Sequence, residues 1–357
     1  MLARLRDFSA FRMHASVTGS VGLLAAAFLL ILAGQTQAQT VPEFYKGKQM
    51  EIITGGTPGS IYDHWSRALA HNMGKHIPGN PTFIVKNMPG GGHVTAANYI
   101  FNQSPRDGTV LGVVSRNMPH LDLLGNNLVR FKAREFQWIG SPELTNRACV
   151  AYQTAKVRRP ADLFQMELVV GGSGAGSAVS TTPVILSKLL GMKLKLVDGY
   201  HGGPEIFLAM ERGEVEGVCQ TLAAIESTGP GWIEKGKLSI LFNMEKDPLP
   251  GVSAPSVMSL TKTYEQREIL SFYNSSAEMG RPVLTTPGLP PERLIALRRA
   301  FDATMRDRQF IAEAKKMTGL DVIAMTGEQV EGIAKRISMT PKEIVDKTVS
   351  MIGTLGD

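Results

Sequence analysis

The chain has 357 residues, with 38 Lys and Arg against 32 Asp and Glu, and 7% of its residues are aromatic. The basic excess is mild and dispersed, dense only at Arg158-Arg159 and Arg298-Arg299, so with so few aromatics it speaks against nucleic-acid binding. Two cysteines, Cys149 and Cys219, with no histidine cluster beside them make no metal site.

The chain opens on Arg4, Arg6 and Arg12, then an apolar run at 21–33, then the small-residue exit Thr36-Gln37-Ala38. That order describes a secretory signal peptide over residues 1–38. Thirteen apolar residues are too few to span ~30 Å of hydrocarbon, which argues against a membrane anchor. The mature protein is expected to begin near Gln39 and to be soluble in the periplasm. Removing Arg4, Arg6, Arg12 and Asp7 leaves 35 basic and 31 acidic side chains. The remaining length, about 320 residues, exceeds what one hydrophobic core usually serves, so two lobes are expected.

Beyond the signal, strand-like runs fall at 49–54, 82–86, 109–115, 136–139, 148–153, 167–171, 193–197, 215–220 and 238–243. Helical runs alternate with them at 62–75, 93–103, 179–190 and 204–211, which is the pattern of an α/β architecture. Trp65, Leu69 and Met73 share one face of the first helix. After Pro287-Gly288-Leu289-Pro290-Pro291 the chain reads as helices at 292–306, 309–318, 327–338 and 341–352. Each cysteine lies inside an apolar strand-like run. Cysteine in such a run is usually a small buried hydrophobe, and that reading is preferred to a disulfide, which an oxidising compartment would permit.

Two glycine-rich elbows stand out, each after a strand-like run and before a helical one. The first is Gly55-Gly56-Thr57-Pro58-Gly59-Ser60-Ile61-Tyr62-Asp63, and the second is Gly171-Gly172-Ser173-Gly174-Ala175-Gly176-Ser177. A glycine turn at a helix start leaves N–H groups unpaired at the positive end of the helix dipole, which suits an anion. Neither elbow has the lysine of a nucleotide-binding P-loop, the second lacks dinucleotide spacing, and Ala175 breaks a G-x-S-x-G nucleophile turn. Binding is favoured over catalysis, although His64 and His93 near the first elbow keep a secreted α/β enzyme as an alternative.

Further turns follow in order: Asn87-Met88-Pro89-Gly90-Gly91-Gly92-His93, Arg106-Asp107-Gly108-Thr109-Val110-Leu111, and Tyr200-His201-Gly202-Gly203-Pro204. With the elbows, they make the chain resemble the substrate-binding receptors of tripartite tricarboxylate transporters, the Bug receptors. Pro58, Gly59 and Asp63 match the family's Pro-Gly-Gly-x-x-Asp, and Asn87, Pro89, Gly90 and Gly92 match its Asn-x-Pro-Gly-Ala-Gly-Gly. Gly91 and His93 depart from that pattern. The tyrosine of Pro-Asp-Gly-Tyr-Thr-Leu is missing, and Tyr-Lys-Gly stands as Tyr200-His201-Gly202. The resemblance covers essentially the whole mature chain.

It implies a two-lobed periplasmic binding protein fold of type II character, each lobe a mixed sheet flanked by helices, with the ligand cleft between the lobes. Lobe one is expected to comprise 39–145 plus 280–357, and lobe two 146–279. A small carboxylate is the implied ligand, with integral-membrane transporter subunits as partners, no cofactor, and a monomeric state. The grip is expected from Pro58, Gly59, Ser60, Tyr62 and Asp63 of one loop and Ser173, Gly174, Ala175, Gly176 and Ser177 of the other. Ser115 and Asn117, and in the second lobe Tyr200, Gly202 and Gln220, fall at carboxyl ends of strands, where α/β ligands collect. Asp63 can be read equally as a helix cap or as a cleft residue. Ile61 and Tyr62 replace smaller residues of the family pattern and suggest a narrower or more apolar pocket. A receptor signalling to a membrane sensor is the second reading.

Overall fold

The structure, a computed structural model, describes residues 39–173, 177–200, 202–247 and 253–352. The expected signal peptide and the site candidates Gly174, Ala175 and Gly176 therefore lie outside the described residues, as does His201.

The chain enters through α1 (Val41–Tyr45), β1 (Gln49–Thr54), α2 (Ile61–Asn72), β2 (Thr82–Asn87) and α3 (Val94–Asn102). It continues through β3 (Val110–Val113), α4 (Met118–Leu123) and β4 (Gln137–Ser141) before crossing into β5 (Arg147–Tyr152) and β6 (Leu168–Gly171). Then follow α5 (Ala178–Leu190), β7 (Leu194–Val197), α6 (Gly203–Arg212), β8 (Gly217–Thr221), α7 (Leu222–Thr228) and β9 (Leu238–Asn243). Helix α8 (Tyr264–Glu278) returns the chain to β10 (Val283–Thr285). The end is α9 (Pro291–Met305), α10 (Arg308–Thr318), β11 (Met325–Thr326), α11 (Gly327–Ser338) and α12 (Lys342–Ile352).

These strands form two sheets. The first has the order β11-β4-β10-β3-β1-β2 and the second β7-β6-β8-β5-β9. In the first, β1 pairs in parallel with β2 and β3, while β10 runs antiparallel between β3 and β4. In the second, β6 pairs in parallel with β7 and β8, and β5 runs antiparallel to β8 and β9. Both sheets are mixed and flanked by helices, a two-lobed α/β fold. The first sheet draws its strands from 49–141 and 283–326 and the second from 147–243, so the chain crosses between them twice.

Burial explains the strand composition. Ile52 and Ile53 point to opposite faces of β1 and both are fully buried, as a central strand covered on two sides requires. One hydrophobic cluster, with Ile52, Trp65, Leu69 and Phe301, backs the first sheet, and another, with Val150, Ile206, Phe207 and Val218, backs the second. A third runs continuously from Ile53 and Trp138 through Phe272 and Tyr273 of α8 to Cys149 and Ile185, so α8 packs between the sheets. The C-terminal α12 packs on α5 and α8, and α11 on β4.

The cysteines depart from expectation. Cys149 and Cys219 form a disulfide. The antiparallel register of β5 on β8 sets them directly opposite each other, with their Cα atoms 4.0 Å apart. Both are buried, as the sequence suggests, but pairing across 70 residues depends on a strand register that no local pattern encodes.

Candidate functional site

The first elbow closes on itself. Ser60 caps α2, its Oγ accepting from the Asp63 N–H, while the Ser60 N–H donates to Thr57 O and the Gly59 N–H to Asp63 Oδ2 at 2.9 Å. Gly59, at φ +79°, makes the turn that allows this. Asp63 is buried and also accepts from Arg67 Nε and Asn87 Nδ2, both at 2.9 Å. Burial raises its pKa, but the donations from Arg67, Gly59 and Asn87 outweigh this and hold the carboxyl below its usual range. Asp63 therefore locks the loop and sits at the positive end of α2. Pro58 and Gly59 are exposed at the tip, and the Tyr62 ring packs edge-on against His93 at 4.4 Å.

The second elbow is closed by hydroxyls. Ser177 caps α5, its Oγ accepting from the Ser180 N–H, and Ser173 Oγ donates to Ser177 Oγ at 3.1 Å. The Ser173 N–H donates to Ser180 Oγ, which donates in turn to Asp198 Oδ1 at 2.8 Å. A carboxylate thus stands at this helix start as well.

Between the two helix starts lies a set of side chains that the sequence reading leaves out. Arg281, just before β10, sets its guanidinium 4.8 Å from the centre of the Tyr62 ring and its Nε 2.7 Å from Glu143 Oε2. Glu143 also accepts from Trp65 Nε1 at 3.1 Å. Arg147, the first residue of β5, donates through Nη2 to Asn274 Oδ1 at 2.9 Å and lies 5.2 Å from the centre of the Tyr273 ring. The Tyr273 hydroxyl bonds Thr181 and Thr182 near the start of α5, each at 2.8 Å. Arg116, between Ser115 and Asn117 at the exit of β3, is near enough to feel the charges of Tyr62, Arg147, Arg281 and Glu143. Contacts therefore run from Tyr62 on α2 to Arg281, and from Arg147 through Tyr273 to α5, with Arg116 within electrostatic reach of both guanidiniums.

The electrostatics of this path are uneven. Arg116 makes no hydrogen bond or ion pair among the described residues, and its Nη1 is sealed from solvent without a partner. Burial first, then Arg147 and Arg281, lowers its pKa below that of an ordinary guanidinium. Glu245 accepts from the Arg147 N–H at 3.0 Å, and burial raises its carboxyl pKa against the pull of Arg147. His93, its Nδ1 sealed and unpartnered, is lowered to about 4 by burial and then by Arg281, so it is neutral near pH 7.

The other candidates are spread along the strand ends. Ser115 Oγ accepts from the Asn117 N–H, and Asn117 begins α4. Gly202 begins α6, and Gln220, buried on β8, points towards Gly203 with its Nε2 unpartnered. Tyr200 packs against the hydrophobic cluster backing the second sheet, and its hydroxyl bonds Glu214. Trp65, on the shared face of α2 with Leu69 and Met73, is fully buried. Among the described residues no cluster of His, Cys, Asp or Glu could hold a metal ion.

No family model and no curated relative matches the sequence. Solved structures match it in fold. A TctC solute-binding protein from Polaromonas aligns with a TM-score of 0.67 at 20% identity, over 85% of this chain and 99% of its own. The periplasmic binding protein BugD aligns at 0.54 and 16% identity, over 87% and 99%. A protein of R. palustris solved with adipate aligns at 0.52 and 16% identity, over 85% and 98%. The architecture is therefore that of the periplasmic binding proteins. Within that class, the fold is the one shared by TctC and BugD.

Proposed function

We propose that the chain is an extracytoplasmic solute receptor that captures a small carboxylate between two lobes, 39–145 plus 280–357 and 146–279. Residues 1–38 act as a cleavable signal for export to the periplasm. The receptor works as a monomer and delivers its ligand to the membrane subunits of a tripartite tricarboxylate-type transporter. It is a binder and not a catalyst. The observation that supports the reading is the gathering of three guanidiniums: Arg281 on the Tyr62 ring of α2, Arg147 beside the Tyr273 that bonds α5, and Arg116 within electrostatic reach of both. Groups contributed by both lobes act together when the cleft is shut, so binding and hinge closure are coupled. The two crossings, at Glu143 and at Gly280, are the natural hinges. The solved proteins of this fold are themselves solute-binding and periplasmic binding proteins, and one was solved with adipate.

A thermal-shift screen of residues 39–357 against malate, adipate, citrate, amino acids and neutral controls tests this. A ligand at ~100 times its Kd stabilises the bound form by about 2.7 kcal/mol, a readily visible rise in Tm. A response confined to neutral compounds would remove the carboxylate reading.

A further inference from the structure

We propose that Arg116 is the direct partner of the ligand's carboxylate, so that this receptor selects its solute by an ion pair in addition to its glycine loops. The proposal rests on the receptor reading above and deepens it.

Four observations converge. First, several donors in the described part of the elbows are already taken. The N–H groups of Gly55, Gly56, Gly59, Ser60 and Asp63 are bonded within the protein, as are those of Gly172, Ser173 and Ser180 in the second loop. Second, each helix start already faces a carboxylate, Asp63 or Asp198, so the dipole that would attract a ligand is largely answered. Third, three guanidiniums share the space between them with two carboxylates, Glu143 and Glu245. Arg281 sits against Glu143, and Arg147 is held by Asn274 with Glu245 at its own backbone N–H. One positive charge is left over. Fourth, that charge has an address, because Arg116 alone of the three has neither a hydrogen bond nor an ion pair among the described residues, and its Nη1 is withdrawn from water.

An unanswered guanidinium flanked by two others is unfavourable in the empty protein and strongly attracts one more carboxylate. Its planar fork suits that group, since two parallel N–H donors match the two oxygens. Neutral His93 and the Tyr62 ring line the same place without adding charge. The ligand class that follows is a small acid with at least one ionised carboxylate pressed on Arg116, and its amide analogue is rejected.

The test compares the mature wild-type protein with Arg116→Gln and Arg116→Lys, by calorimetric titration with malate and adipate, with adipamide as the uncharged control. The expected result is a loss of about a hundredfold in affinity for R116Q, a smaller loss for R116K, and no binding of adipamide by any of them. Ligand-free R116Q should also melt above the wild type, because an uncompensated charge has been removed. Affinity of R116Q within twofold of the wild type overturns the proposal. So does lost affinity with a lowered ligand-free Tm, which marks a structural role. If the wild type ignores every carboxylate, the ligand class of the receptor reading fails, and the ligand-free Tm decides on Arg116 separately: a rise sustains it as the unanswered charge, and no change or a fall overturns it.

Discussion

Acid should loosen this protein through His120, a residue with no part in the proposed ligand site. It is fully buried on α4, its Nε2 lies 3.0 Å from Phe272 O and 3.2 Å from Ser275 Oγ, and its Nδ1 has no partner. Burial lowers its pKa to about 4, against a smaller opposing effect of the Phe272 carbonyl. The folded state thus holds the neutral ring, while the unfolded chain takes up a proton near pH 6.5. Stability is present in full above the unfolded value, falls as pH drops below it, and levels off below the folded value. Linkage between 6.5 and 4 makes the loss about 2 kcal/mol at pH 5 and ~3.4 kcal/mol once both states are protonated. His93, also lowered to about 4, adds a loss of similar size over the same range. Urea unfolding at pH 7 and pH 5, on the wild type and on His120→Asn, isolates the effect. The substitution has its own cost at pH 7, but the difference between the two pH values should shrink by about 2 kcal/mol. An unchanged difference would refute the reasoning, since it would mean that the imidazole takes a proton in the folded state as easily as in the unfolded chain.

Three further perturbations test the frame around the cleft. Gly280 has φ +60°, and a Cβ there would stand 1.6 Å from Glu143 O, so Gly280→Ala should lose more than about 3 kcal/mol by thermal or urea melts; a wild-type Tm would contradict the tight approach of the two crossings. Replacing Cys149 and Cys219 by Ala removes a cross-link closing 70 residues, worth about 4 kcal/mol in the chain-entropy account, and a melting curve unchanged by the double substitution would show that the link does not constrain the unfolded chain. Asp63→Ala strips the partner from the Gly59 N–H, Arg67 and Asn87 and should cost about 3 kcal/mol, with faster amide exchange at Gly59; an unaltered exchange rate would mean that the loop holds without it.

Local signals carried much of the fold. The bounds of β1 and β9 match the sequence runs, because buried strands of β-branched and apolar residues end at polar turns on both sides. Helix α11 likewise matches, since Thr326 and Gln329 form a capping box at its start. Helix α8 escapes the sequence reading although Thr263 caps it through the Gln266 N–H. Lying between the sheets, it buries Ile269, Leu270, Phe272 and Tyr273 almost in succession, and a helix enclosed on several sides lacks the one-sided stripe that periodicity detects. Strand β10 has three residues, too few for any alternation to register.

The candidate positions can be picked from the sequence, but the chemistry proposed for them cannot. Ser115 and Asn117 are picked out because strand ends collect ligands in α/β folds, and that argument applies with equal force to the Arg116 between them. What hides Arg116 is the assumption that a glycine elbow's N–H groups remain available. They remain so only if nothing inside the loop accepts them, and the N–H groups of Gly59, Ser60, Asp63 and Ser173 are accepted by Asp63, Thr57, Ser60 and Ser180. Whether Arg116 is answered cannot be read along the chain, because its possible partners, Glu143, Glu245 and Asn274, come from distant segments and are taken by Arg281 and Arg147. Three arginines 31 and 134 positions apart would pass as surface charge in any composition count. Only the two crossings bring them together, and there Arg281 pairs with Glu143 and Arg147 bonds the Asn274 amide, which leaves Arg116 without a partner among the described residues. On the proposal made above, ligand preference is set where the two crossings meet the end of β3 as much as by the glycine loops.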